Sequence, residues 1–196
     1  MKPRLPFPRR APHDAEREQR ERDAYERTHR VLDALPTEQW SIVSPYELRH
    51  GQRSHVAVGT NGVYLIIARK PPGSVRVKDG VPWLRQIGDA QRERAGTDVV
   101  RKALEPASAL SRQIRSRAGR ALAVHAVVVL WSEFPQGTVE TSQITFVHGR
   151  DLAGWLRSRP AELDRAGIDE IAQAVKDVAA EHARHGHTPP SGSQVA

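Results

Sequence analysis

Arginine and lysine are the residues in this chain best suited to chemistry. Six of them, Arg101, Lys102, Arg112, Arg115, Arg117 and Arg120, fall between positions 101 and 120, where Glu105 is the single acid. Guanidinium and ammonium groups hold phosphate oxygens without reading bases, so this run is a candidate contact for a nucleic-acid backbone. The whole chain leans the same way: 30 Lys and Arg against 23 Asp and Glu give a formal charge of +7, with a pI near 10.3. Such a balance favours a polyanion, nucleic acid ahead of an anionic membrane. The charge is unevenly placed. Over 161–184 the acids Glu162, Asp164, Asp169, Glu170, Asp177 and Glu181 outnumber Arg165, Lys176 and Arg184. A solvated helix face would produce a similar basic run, and that bland reading stands beside the binding one.

Other reactive types are less telling. His182, His185 and His187 resemble a small metal cluster, but they lie at the end of a helical pattern running into Pro189-Pro190 and read as solvated. His125 sits in an apolar run and reads as a satisfied core histidine. Trp83, Trp131 and Trp155 have apolar neighbours and read as core rather than as platforms for bases. The chain has no cysteine, which excludes disulfides, thiolate metal sites and a thiol nucleophile. There is no phosphate-cradling glycine loop, dinucleotide fingerprint or nucleophile elbow. On these grounds neither a metal nor a cofactor is expected.

The elements that must position these residues follow from periodicity. Residues 1–13 are rich in Pro and Arg and are expected to form a disordered basic arm. Asp14 can cap a helix running to about Leu35, charged all round in its first half. Its apolar stripe of Ala24, Thr28, Val31, Leu32 and Leu35 begins only in the second half, and Pro36 ends it. Strands are expected at 39–43, 55–58, 63–68, 75–78 and 81–84. Thr60-Asn61-Gly62 and Asp79-Gly80 mark two hairpins. Residues 85–97 read as a loop. Asp98 opens a helix with Val99, Ala103, Leu104, Ala107, Leu110 and Ile114 on one side, which Pro106 should kink or divide. Residues 122–130 are apolar on both faces, as in a strand buried on both sides, and 144–147 is a last strand. Helices over 151–156 and from about 160 to 183 precede a Pro/Gly/Ser-rich tail, 185–196, expected to be disordered.

These elements predict one α/β (α+β) domain over 14–184, with a mixed sheet of about five to seven strands, hairpins, and helices on its flanks. The longest apolar run, 121–131, has 11 residues and contains His125, too short to cross a bilayer. The opening MKPRLPFPRR is interrupted by Pro3, Pro6 and Pro8 and lacks the apolar stretch of a signal peptide. A cytoplasmic protein with no membrane partner is expected.

The segment SHVAVGTNGVYLIIARKPPGSV, residues 54–75, resembles the core hairpin of nuclease-related (NERD) domains. The likeness continues through Gly73-Ser74-Val75 and Asp79-Gly80 to Trp83. It resumes around 100–110 and in TFVHGRDLAGWLRSRP, and covers roughly 22–160. The resemblance implies a restriction-endonuclease-like fold. It also implies an Asp on one strand and an acid on the next, which together hold Mg²⁺ or Mn²⁺. A Lys two positions after the second acid acts on the attacking water, because residues i and i+2 of a strand share a face. In this chain those positions carry Ser54, Ile67 and Arg69. His55, Gly59, Gly62, Val63, Tyr64 and Ile66 keep the pattern. The family's first-helix Glu falls at Tyr25 or, one residue on, at Glu26, and a middle-helix Gln falls at Lys102.

Serine is a weak ligand, isoleucine none, and arginine stays protonated and cannot serve as a base. No acid occurs from Gln52 to Val77. The expectation is therefore a catalytically inactive nuclease relative that keeps at most Glu26 of the catalytic set, with no metal. It would bind DNA or another polyanion through Arg69, Lys70, Arg101, Lys102, Arg112 and Arg115. Two alternatives compete with it: an active Mg- or Mn-dependent nuclease with relocated ligands, and an interaction scaffold that docks a protein partner through the helix 14–35.

Overall fold

The computed structural model describes residues 12–48, 51–85 and 93–185. Residues before 12, 86–92 and those after 185 lie outside the described residues, and with them most of the expected disordered arm and tail and half of the expected loop. The elements are α1 (Pro12–Asp33), β1 (Trp40–Glu47), β2 (Arg53–Gly59), β3 (Gly62–Arg69), β4 (Ser74–Lys78), β5 (Val81–Arg85), β6 (Glu93–Ala95), α2 (Thr97–Ala118), β7 (Val124–Leu130), β8 (Thr138–Glu140), β9 (Ile144–His148), α3 (Leu152–Arg157) and α4 (Arg165–His185).

Six strands form one mixed sheet in the order β1-β2-β3-β7-β9-β8, and β4-β5-β6 form a second, smaller one. Within the large sheet β1, β2 and β3 are antiparallel, β3, β7 and β9 run parallel, and β8 returns antiparallel. The Asn-Gly signal closes β2 onto β3, with Gly59 opposite Gly62. At the second hairpin Asp79 (φ 51°) and Gly80 (φ 73°) are both left-handed, the conformation such a two-residue turn requires. Two short strands were not expected. Glu93–Ala95 falls in the segment read as a loop, and Thr138–Glu140 covers only three edge residues.

Alternation along β3 divides the core. Val63, Leu65 and Ile67 pack with Ala126 and Val128 of β7 under Leu110 and Ile114 of α2 and Ile168, Ile171 and Val175 of α4. Tyr64 and Ile66 pack with Val127 and Val129 under Leu32 of α1 and Leu152, Trp155 and Leu156 of α3. Strand β7 is thus covered on both faces, as its sequence predicts. Helix α1 docks through Ala24, Thr28 and Leu32, all buried, and starts two residues before Asp14. Helix α2 runs unbroken through Pro106 for 22 residues, so the proline does not divide it. The carbonyl that Pro106 cannot serve belongs to Lys102, whose residue is exposed, so water can take that bond. No helix among the described residues is long and apolar enough to cross a membrane.

Candidate nucleic-acid interface

The hairpin β2–β3 carries the residues singled out by sequence, and the sheet fixes where each one goes. Ser54 is fully buried, and its hydroxyl donates 2.8 Å to the carbonyl of Tyr46 on β1. Ile67 is 2% exposed, lies opposite Val128 of β7, and belongs to the core beneath α2 and α4. A carboxylate at this position would lose its water to an apolar core. Neither side chain offers an oxygen to a metal. Among the described residues no group of three or more His, Asp or Glu could hold one. The donor set for Mg²⁺ or Mn²⁺ is not met at this hairpin.

Next to Ser54, His55 is also buried and completes a polar array with α1. Its Nδ1 lies 2.8 Å from Ser44 Oγ, which is 2.7 Å from the hydroxyl of Tyr25. The Tyr25 ring stacks on His55 with centroids 4.3 Å apart. His29, one turn on, is near parallel to His55 at 5.7 Å and pairs with Asp33 at 3.4 Å. Burial, followed by repulsion from His29, pushes the His55 imidazole down to about 4. It is a neutral structural ring at physiological pH. Glu26 is exposed.

At the carboxyl end of β3, Arg69 and Lys70 meet the first half of α1. Arg69 donates 2.7 Å to Glu21 and 3.0 Å to Gln52 Oε1, and Lys70 lies 3.5 Å from Asp23. Their side chains are 17% and 28% exposed. A hydrogen bond from Gln19 and the charge of Lys70 hold Asp23 below the usual carboxylate range. Trp131 follows β7 at the same end, its amide bonding the Arg69 carbonyl at 2.9 Å. The ring lies on Gly149, where a Cβ would come within 2.4 Å of it. Its Nε1 donates to Thr28, and the Arg27 guanidinium lies over it at 5.7 Å. Four cationic or aromatic groups, Arg27, Arg69, Lys70 and Trp131, therefore gather at one end of the parallel strands.

The basic helix α2 lies elsewhere. It covers the Ile67 face of the sheet, while α1 covers the Ile66 face. Arg101 pairs with Asp98 and Glu105, and Lys102 with Asp98. Arg112 and Arg115 are exposed, with no ion pair to any described residue. Arg101, Arg112 and Arg115 stand 11 and 3 positions apart, on one stripe of the helix. Arg117 and Arg120, counted in the same run, are tied to Glu181 and Glu170 of α4.

The profile of the nuclease-related domain matches residues 18–131, more than half of the chain. The chain belongs to the nuclease-related domain (NERD) family. Neither a curated protein nor a solved structure matches it significantly. The match takes in α1 from residue 18 on, both hairpins, α2 and β7. It stops before the segment TFVHGRDLAGWLRSRP, on which the sequence resemblance partly leaned.

Within this NERD fold the remaining histidines and tryptophans sort by contact. His125 is held by Thr145 at 2.9 Å and lies among Tyr64 and Trp155, a satisfied ring as expected. His182 lies beside Tyr46 and Gln113, while His187 falls outside the described residues. Trp155 is core, donating to Glu140. Trp83 is only half-buried on the small sheet, with Lys78 over its ring, and Trp131 is half-buried under Arg27. Their apolar neighbours in sequence hid this partial exposure. Sequence reasoning also missed Arg27, Glu21 and Asp23, because nothing local links α1 to a strand end 48 residues away.

Proposed function

We propose that this NERD domain holds a nucleic-acid backbone, DNA first, without cutting it. The observation that carries the reading is Ile67, packed in the core where the family resemblance calls for a metal-binding acid. With Ser54 bonded to a backbone carbonyl and Arg69 unable to act as a base, the hairpin keeps the family framework but not its donor set. Phosphate contact needs only cations. The stripe of Arg101, Arg112 and Arg115 supplies them on a rigid helix, and its last two members have no described acid to displace.

The test uses purified full-length protein with labelled duplex DNA. Cleavage is expected to be absent with Mg²⁺ or Mn²⁺. Binding is expected to weaken steeply with salt, with a log–log slope of about −3 if three phosphates are contacted, at about 0.9 per contact. Chelator-sensitive cleavage would favour an active nuclease with ligands on other elements. No binding even at low salt would leave a scaffold that meets a protein partner through α1.

A further inference from the structure

The ion pairs between α1 and the end of β3 have a geometry that suggests a further role. Arg69, Lys70 and Arg27 are cations gathered beside Trp131, and in this structure their counterions come from the chain itself: Glu21 on Arg69 at 2.7 Å and Asp23 on Lys70 at 3.5 Å. Gln52 orients Arg69 through its Oε1, and its own Nε2 is buried with no partner. A guanidinium bearing one carboxylate, an ammonium bearing another and a spare amide donor beside the guanidinium make a set whose carboxylates a phosphate can replace.

The cover over this set is weakly anchored. Buried docking residues on α1 begin at Ala24 and continue through Thr28 and Leu32, whereas from Asp14 to Asp23 every side chain is exposed or half-exposed. That stretch holds five acids (Asp14, Glu16, Glu18, Glu21, Asp23) and three bases (Arg17, Arg20, Arg22), so it is an acidic segment lying across a basic strand end. Partly exposed ion pairs contribute little and are screened by salt. A helix held to the body mainly by such pairs can be lifted from them without disturbing the apolar half.

We infer that Arg69, Lys70 and Gln52 form a second phosphate site, which Glu21 and Asp23 occupy as internal substitutes until a nucleic-acid strand displaces the first half of α1. The site rests on the polyanion reading above but uses cations held by α1 rather than those of the α2 stripe, so the two can fail separately. The cover is autoinhibitory. It lowers affinity in the free protein and gives way when phosphates offer the same cations more charge.

The experiment measures duplex-DNA binding by anisotropy across a salt series, using full-length protein. Glu21→Gln/Asp23→Asn is expected to raise affinity about tenfold and steepen the salt slope by about 2, since two further phosphate contacts at about 0.9 each become available. Adding Arg69→Ala/Lys70→Ala to that variant should cancel the gain. Asp14→Asn/Glu16→Gln makes the same charge change away from Arg69 and Lys70 and should have much less effect. If this control gains as much as Glu21→Gln/Asp23→Asn, the effect is general charge and the inference is overturned. If wild type binds and Glu21→Gln/Asp23→Asn leaves affinity and slope unchanged, the latch is wrong while backbone binding stands. If neither binds, both readings fall. Binding only by Glu21→Gln/Asp23→Asn would support the latch in its strongest form.

Discussion

Isoleucine at position 67 does its work by being buried, and changing it separates structure from chemistry. Ile67→Glu removes a side chain that fills the core under α2 and α4 and puts a carboxylate among apolar side chains. The cost is expected to be about 4 kcal/mol, from lost burial together with a desolvated acid, read as a fall in the urea midpoint. Cleavage should not return, because one acid without a partner ligand at Ser54 does not make a metal site. His55 makes a second residue-scale prediction, for pH. Its folded value of about 4 lies below the 6.5 of an unperturbed histidine, so the unfolded chain takes up the proton first. The stability it contributes is complete above about pH 6.5 and declines as pH falls toward 4. The decline amounts to about 3 kcal/mol at roughly 1.4 kcal/mol per pH unit. His125 and His148 are also lowered by burial and add to the same slope. Urea midpoints between pH 4 and 7 check this, and His55→Gln should flatten the curve. A wild-type midpoint that stays constant over the window would contradict the assignment of His55 as buried and neutral.

Elements explain both what the sequence revealed and what it concealed. The two hairpins were legible because Asn-Gly and Asp-Gly turns are local, and β7 was legible because burial on both faces leaves an unbroken apolar run. Strands β6 and β8 were not, since three residues at a sheet edge carry no alternation to detect. The replaced acids at Ser54 and Ile67 could be read from the hairpin alone. The setting of Arg69 could not, because it depends on how α1 crosses a strand 48 positions away. Nor does spacing along α2 say which side of the sheet the helix covers. Pro106 turns its misreading into a prediction. A mid-helix proline costs about 3 kcal/mol relative to alanine in a free helix, yet packing holds α2 continuous. Pro106→Ala is therefore expected to raise stability by about 1 to 3 kcal/mol, visible as a higher melting temperature. Gly149→Ala should act oppositely. Its Cβ would fall 2.4 Å from the Trp131 ring, and the forced shift should cost about 1 to 3 kcal/mol and disturb the bond to Thr28 that docks α1.

At the scale of the whole molecule the question is whether +7 acts as a site or as an atmosphere. A net positive charge attracts a duplex from any direction and raises the encounter rate without choosing a surface. A site differs in that a few cations on a rigid element release counterions together when they meet successive phosphates. Arg101, Arg112 and Arg115 meet that description on α2, whose apolar side is fixed by Ala103, Ala107, Leu110 and Ile114. Arg76, Arg94 and Arg157 are equally exposed but lie on β4, β6 and α3, three separate elements. Removing either trio lowers the formal charge from +7 to +4, so a charge-matched comparison isolates position. Alanine at 101, 112 and 115 is expected to weaken duplex binding at least tenfold and flatten the salt slope by about 3. Alanine at 76, 94 and 157 should weaken binding less than threefold and leave the slope near its wild-type value. Equal losses in the two variants would mean that DNA responds to diffuse charge, and α2 would then be a solvated helix face.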